Sequence, residues 1–362
     1  MVILYASFLM QRILHKWQIA KQVTNPTQLI LTNGMNLIRK LRKSFLGVSD
    51  LEAMFSKRGF YYGIATTQRH LESLGIRFLE GYRIALELSD VEELSAALNQ
   101  EKKEFVGFAY EGAAMGKTIL DTLSIGRNDR LQKLIKNKEG NKHIYIIHVG
   151  AGWGYARFPI NIEKKIESFH PAFRWLIIDG YGFHQAFFKT KKYVYEKAMP
   201  KKLKKEFSKH VFYQGVGRCL WFITCAEPHR ILNEINCFDQ KYQVDLWSGV
   251  GLAATYAGGV NKEVLEELKL LSGPYLPHLI QGSAFAAKAR QRAENTVPYN
   301  EMACKIITGI SVEEAAAATD RCLAQVPPEL SSEQQYYLWQ KLIRFTICKD
   351  QTHETLYQTT SA

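Results

Sequence analysis

Signatures that would name a chemistry are scarce in this chain of 362 residues. Six cysteines are present, Cys219, Cys225, Cys237, Cys304, Cys322 and Cys348, and no two of them stand as CxxC. A chain of this length buries enough apolar surface to fold without disulfides, so reduced thiols in a cytoplasmic protein are expected. There is no HExxH and no dense aspartate cluster, so neither metal nor any other cofactor is expected. The apolar run MVILYASFLM (1–10) is too short to cross a bilayer. It has no basic segment ahead of it and no small-residue cleavage site behind it, so a secretory signal is not expected. Residues 1–37 read as an N-terminal extension, and any membrane contact there would be peripheral.

What is present is a basic, globular composition. Hydrophobic residues make up 46% of the chain and charged ones 23%, which argues against wholesale disorder. Lys and Arg outnumber Asp and Glu by 47 to 35, a formal charge of +12. The excess gathers at Arg39, Lys40, Arg42 and Lys43 and again in KTKKYVYEKAMPKKLKKEF (189–207). Such runs are usually solvated helix faces, and an acidic carrier protein would suit them. No nucleic-acid module accompanies them, so nucleic acid is not an expected partner.

A repeat runs through the chain. FLEGYRIAL (78–86), AYEGAAMGKTIL (109–120), IIHVGAGWGYA (146–156), IIDGYGFHQAFF (177–188), FYQGVGRCLWF (212–222), LWSGVGLAATYA (246–257) and LIQGSAFAAKA (279–289) share an apolar approach and a glycine. A second small residue usually follows two places later. The glycines are Gly81, Gly112, Gly150, Gly180, Gly215, Gly249 and Gly282, separated by 30 to 38 residues. A period of about 34 is that of a helix–turn–helix unit. The spacing therefore predicts an all-α fold of tandem helical hairpins over 38–348, with 349–362 as a flexible tail. Two arrangements fit, a tetratricopeptide-like superhelix and a closed α/α toroid. A glycine inside a helix costs up to about 1 kcal/mol against alanine, so its recurrence implies close approach of helix backbones.

Local signals agree. QKYQVDLWSGVGLAATYA (240–257) reads as a helix stopped by Gly258-Gly259, with Asn261 capping the next helix over 262–271. Pro228 suits a first helical turn. Helices are also expected from Ser311 over 310–324 and over 334–347. One competing pattern is HIYIIHVGAGWG (143–154) with FRWLIID (173–179), which imitates a strand–glycine loop–strand. Its glycines are spaced GxGxG rather than GxGxxG, and both segments fall on the repeat.

The residue before the glycine is polar in six of the seven units: Glu80, Glu111, Asp179, Gln214, Ser248 and Gln281. In the seventh it is Val149, preceded by His148. Equivalent positions in stacked repeats share a side, so these groups either bond between helices or line a ligand groove. Bonding between helices is the first reading, and a ligand lining is the functional alternative, because carboxylates buried without partners are costly. Glu111, His148, Asp179 and His184 are the acid–base candidates, because a histidine near a carboxylate is the common proton-transfer device. Trp153, Tyr181 and Trp247 sit near the lining and suit an apolar ligand. Arg290, with Lys288 and Arg292 on AFAAKARQRAEN (284–295), suits an anionic group or a solvated helix end.

At these motifs the chain resembles a known family. LRKSFLGVSDLEAMFSKRGF (41–60), FVGFAYEGAAMG (105–116), HVGAGWGYAR (148–157), LIIDGYGFHQAFF (176–188), GVGRCLWF (215–222), DLWSGVGLAATYAGGV (245–260) and QGSAFAAKARQRA (281–293) are similar to the bacterial family catalogued as domain of unknown function 1702. The likeness covers roughly residues 38–345. It implies a role in specialised metabolism, beside enediyne and related polyketide synthases, but no particular reaction. The expectation is an accessory protein, with enzymatic activity left open, that binds an apolar polyketide-like molecule in the groove. The alternative is a non-catalytic scaffold docking an acidic carrier protein or synthase.

Overall fold

The computed structural model describes residues 45–124, 126 and 128–359, and the chain divides into units Met1–Gly47 and Val48–Ala362. The 1–37 extension lies outside the described residues. All elements named below belong to the second unit. Among the described residues there are helices and no strand. No described helix is long and apolar enough to cross a membrane.

Each glycine motif sits on one long helix. These are α1 (Ala65–Glu87), α2 (Val106–Leu123), α3 (Ile144–Tyr155), α4 (Trp175–Phe188), α5 (Glu206–Ile223), α6 (Gln240–Tyr256) and α7 (Leu276–Arg292). Two more follow, α8 (Val312–Ala324) and α9 (Ser332–Thr359); the expected boundary at 348 falls inside the last, whose side chains are described up to that residue. Shorter helices connect them, among them Val91–Leu98, Pro228–Asn236 and Lys262–Leu271. The strand-like segment 143–154 is thus the body of α3, and 173–179 leads into α4.

Caps follow the local chemistry. Glu227 accepts from the amides of His229 and Arg230 ahead of Pro228, whose missing N–H falls where a helix has no partner for one. Gly258 and Gly259, at φ 76° and 101°, end the segment that α6 begins, in a region closed to most side chains. Asn261 then accepts from Val264 N, and Ser311 and Glu314 form a reciprocal capping box at the start of α8.

The glycines act in pairs. From α2 onward the first glycine of a motif lies against a carbonyl of the preceding helix, and a second glycine, where present, against one of the following helix. Gly81 of α1 makes the second kind of contact, with Ala109 O, so Phe78 rather than Glu80 is the α1 counterpart of Glu111. A Cβ on Gly150 would stand 2.1 Å from Glu111 O in α2, and one on Gly152 the same distance from Ile177 O in α4. The pattern repeats at Gly180 and Gly182, Gly215 and Gly217, and Gly249 and Gly251. Backbone-to-backbone packing of this kind stacks α1 to α7 in chain order, because only hydrogen fits at the crossing. Close approach offsets the helix-propensity cost that each glycine carries.

The stack turns back on itself. Thr67 Oγ1 in α1 donates to Gly259 O just beyond α6 at 2.7 Å, and His70 Nε2 lies 2.8 Å from Ala257 O. One step on, Arg290 of α7 reaches Glu104 O, just ahead of α2, and Arg292 reaches Asn141, just ahead of α3. The inner faces of the long helices therefore surround a common interior, and α9 packs into it through Tyr336 and Trp339.

Candidate functional site

The helical period decides which side chains reach that interior. The residue ahead of the first glycine and the one following the second small residue are four apart, so they share a face. The second position reads Met115, Trp153, Phe183, Arg218, Leu252 and Phe285 from α2 to α7. Every one of these lines one of two interior cavities. It is apolar everywhere except at Arg218.

The larger cavity is bounded by α1 to α5 and has an empty volume of about 580 Å³, its solvent-open part included. Its walls are aromatic and aliphatic: Phe78, Phe108, Trp153, Phe183, Phe187 and Phe222 dominate, and Trp153 packs against Phe78 and Phe183 at 4.8 and 4.9 Å. Half-buried Val48 and Glu52 lie at its edge. Deep in this wall is one carboxyl, Glu111, only 2% exposed.

Glu111 is the unusual group. Its Oε1 makes no hydrogen bond of ordinary geometry, and the Trp153 indole N–H, the donor that bears on the carboxyl, has no other partner. Burial pushes the carboxyl up to about 7, an effect reinforced by Asp179 and opposed by the Arg218 charge and the Trp153 indole. Near neutral pH it therefore exists in both protonation states, as a proton donor and acceptor must.

Behind Glu111 lies a charged layer. Asp179, fully buried on α4, accepts from Arg218 Nη1 of α5 at 2.6 Å and from Gln214 Nε2 at 2.7 Å. Gln214 in turn accepts from Gln340 of α9 at 2.9 Å. Arg218 is buried, and its guanidinium lies 5.1 Å over the Phe183 ring. Desolvation would lower its affinity for a proton, but the two acids hold it charged. The layer thus contains one cation, one paired carboxylate and one carboxyl poised between states.

The remaining sequence candidates are dispersed. His148 bonds through Nδ1 to Ile144 O at 2.7 Å and packs against Phe169 and Phe173; burial lowers it to about 4, and no hydrogen bond joins it to Asp179. His184 is buried with Nδ1 unpartnered, stands behind the Trp153 and Phe188 rings, and is held well below its ordinary range by desolvation. Glu80 is half-buried and bonds to Arg77 at 2.7 Å. Ser248 donates to Gln281 at 3.0 Å across α6 and α7, the inter-helix bonding that the repeat pattern allowed. Tyr181 and Trp247 are buried outside both cavity walls. Arg290 is 2% exposed and donates to Glu104 O and Tyr256 O, while Lys288 pairs with Asp320 and Arg292 with Asn141. The basic face expected at the end of α7 is therefore used up in holding helices together.

Arg218 is the residue of the candidate site that the repeat pattern concealed. Its signal is a cation in GVGRCLWF (215–222), at a position where every neighbouring repeat from α2 to α7 carries an apolar side chain.

The sequence profile of a family described as "Protein of unknown function (DUF1702)" matches residues 37–347. The chain belongs to that family. No curated protein and no solved structure matches it. The DUF1702 match spans α1 to α8 and α9 as far as 347, so Glu111, Asp179, Arg218, Gln214 and Gln340 all lie within the shared region.

Proposed function

We propose that this DUF1702 protein binds a flat, unsaturated, apolar molecule in the larger cavity and that Glu111 performs proton transfer on it. The observation that carries this reading is a deeply buried carboxyl, its Oε1 without a hydrogen bond of ordinary geometry and poised near neutrality, set in an aromatic wall. Aromatic faces suit planar conjugated chains, and a dry pocket strengthens any acid–base contact made inside it. A double-bond migration needs one such group: the carboxylate takes a proton from an allylic carbon, the electron pair shifts along the chain, and the carboxyl returns the proton at the far end. Atoms and charge balance with no co-reactant. A polyketide-derived intermediate made in the cytoplasm is the substrate class to which the family resemblance points. In architecture the protein is read as a tightly curled, tetratricopeptide-like superhelix, supported by the bonds from α1 to the segment after α6.

Binding is tested with diphenylhexatriene, a neutral conjugated rod whose fluorescence rises in apolar surroundings. Wild type is expected to bind it, and Met115→Trp, which fills the cavity, is expected to weaken binding at least about tenfold, the scale of one lost buried contact. Absence of binding by wild type, or indifference to Met115→Trp, overturns the proposal. In the producing cell, Glu111→Gln should abolish the final product. If it does not, while charge reversal at exposed Lys201, Lys202 and Lys204 does, the protein is a docking scaffold instead.

A further inference from the structure

A second cavity lies on the other side of the charged layer. It is walled by α3 to α7 and α9, through residues that include Val149, Leu252, Tyr256, Phe285 and Trp339, with an empty volume of about 390 Å³. Side chains lining the two cavities touch one another directly. Phe108 of the first packs edge-on against Tyr256 of the second, with centroids 5.3 Å apart. Arg218 of the second lies over Phe183 of the first.

Two polar groups in that layer have unused hydrogen-bonding capacity, one facing each side. Glu111 Oε1 borders the first cavity without a hydrogen bond of ordinary geometry. Arg218 borders the second, and only its Nη1 makes a hydrogen bond, the one to Asp179. Its other guanidinium donors are available, although the residue is only 3% exposed. Buried donors and acceptors are ordinarily satisfied, so an acceptor beside Arg218 and a proton-exchanging atom beside Glu111 are what this layer lacks.

We propose that the ligand is an elongated apolar molecule with an oxygen function partway along its length, held across both cavities with that oxygen between Glu111 and Arg218. This rests on the reading that the first cavity binds an apolar molecule, and it adds the length, the polar position and a second binding chamber. A carbonyl or enol oxygen fits both neighbours. It accepts from the guanidinium, and the negative charge that develops on it during proton transfer is stabilised there. The Phe108–Tyr256 pair must part to let the chain through, which makes it a gate.

The test compares neutral rods: stilbene, which is short; diphenylhexatriene, longer and without oxygen; and dibenzylideneacetone, of comparable length with a central carbonyl. The ketone is expected to bind at least about tenfold more tightly than the hydrocarbon, the worth of one hydrogen bond to a charged donor. Ala286→Phe, which fills the second cavity, should weaken the ketone about tenfold more than it weakens stilbene. Leu252→Ala, which enlarges the cavity, should favour diphenyloctatetraene over diphenylhexatriene. The inference is overturned if ketone and hydrocarbon bind alike, or if both cavity variants change all lengths equally. If no rod binds wild type, not even stilbene, the underlying reading of the first cavity has failed instead.

Discussion

Replacing Glu111 with glutamine tests the central electrostatic claim without any ligand. In the unfolded chain this carboxyl titrates near 4.5, and in the folded protein burial moves it to about 7. Between those values the native state holds a proton that the unfolded state has released. Stability must therefore fall as pH rises through the window and level off above it. A displacement of that size is worth about 3 kcal/mol. Glutamine fills nearly the same volume and is neutral throughout, so it avoids the cost of an ionised buried group. The stability of Glu111→Gln relative to wild type should thus improve by about 3 kcal/mol between about pH 4.5 and pH 8. Urea unfolding of both proteins, followed by tryptophan fluorescence at several pH values, measures it. Other groups that titrate in the window are common to both proteins and cancel in the difference. A difference independent of pH would refute the reasoning. So would a variant that loses ground as pH rises, since that would mean the Arg218 charge outweighs desolvation.

Other outcomes follow from the same contacts. Asp179→Asn removes the one acid hydrogen-bonded to Arg218, leaving the buried cation only the more distant influence of Glu111, and should destabilise by about 3–5 kcal/mol, whereas joint replacement by apolar residues, Asp179→Leu with Arg218→Met, should recover most of that in chemical denaturation. Gly215→Ala puts a Cβ 2.0 Å from Asp179 O, a rigid backbone atom, and should cost several kcal/mol, at least about 3, in thermal or urea melts. Gly63→Ala meets the Cys225 side chain at 3.1 Å and its carbonyl oxygen only at an ordinary 3.6 Å, and should cost much less. Burial depresses His148 and His278 to about 4 and His143 to about 3. Their contribution is complete above about 6.5 and is lost as pH falls toward the folded values, so His148→Gln should flatten the acid limb of the stability curve.

The candidate site was half-legible in the residues. Glu111 and Asp179 stood out as acids ahead of repeat glycines, and their shared face follows from helical geometry alone. Which of them would be satisfied did not follow. Asp179 meets Arg218 because α4 and α5 are neighbours, while Glu111 has no such partner and is left exposed to an apolar cavity. His148 carries no comparable information, since its own helix supplies its acceptor at Ile144 O. Arg290 looked like a surface cation by composition and is instead buried between carbonyls of different turns of the stack.

The residues by themselves determined the helices and their order of packing. Small residues at a period of about 34 allow backbones to touch at those places, and side-chain caps mark the starts of α6, α8 and the short helices Pro228–Asn236 and Lys262–Leu271. Only the tertiary structure decided how far the stack curls. That curl brings α1 to the end of α6 and carries α9 into the interior, so residues more than a hundred positions apart form one wall. A local pattern specifies a local crossing, but a small rotation repeated at each crossing sets whether an interior exists at all. The near-neutral carboxyl and the unused guanidinium donors depend on that interior, because solvent would otherwise satisfy both.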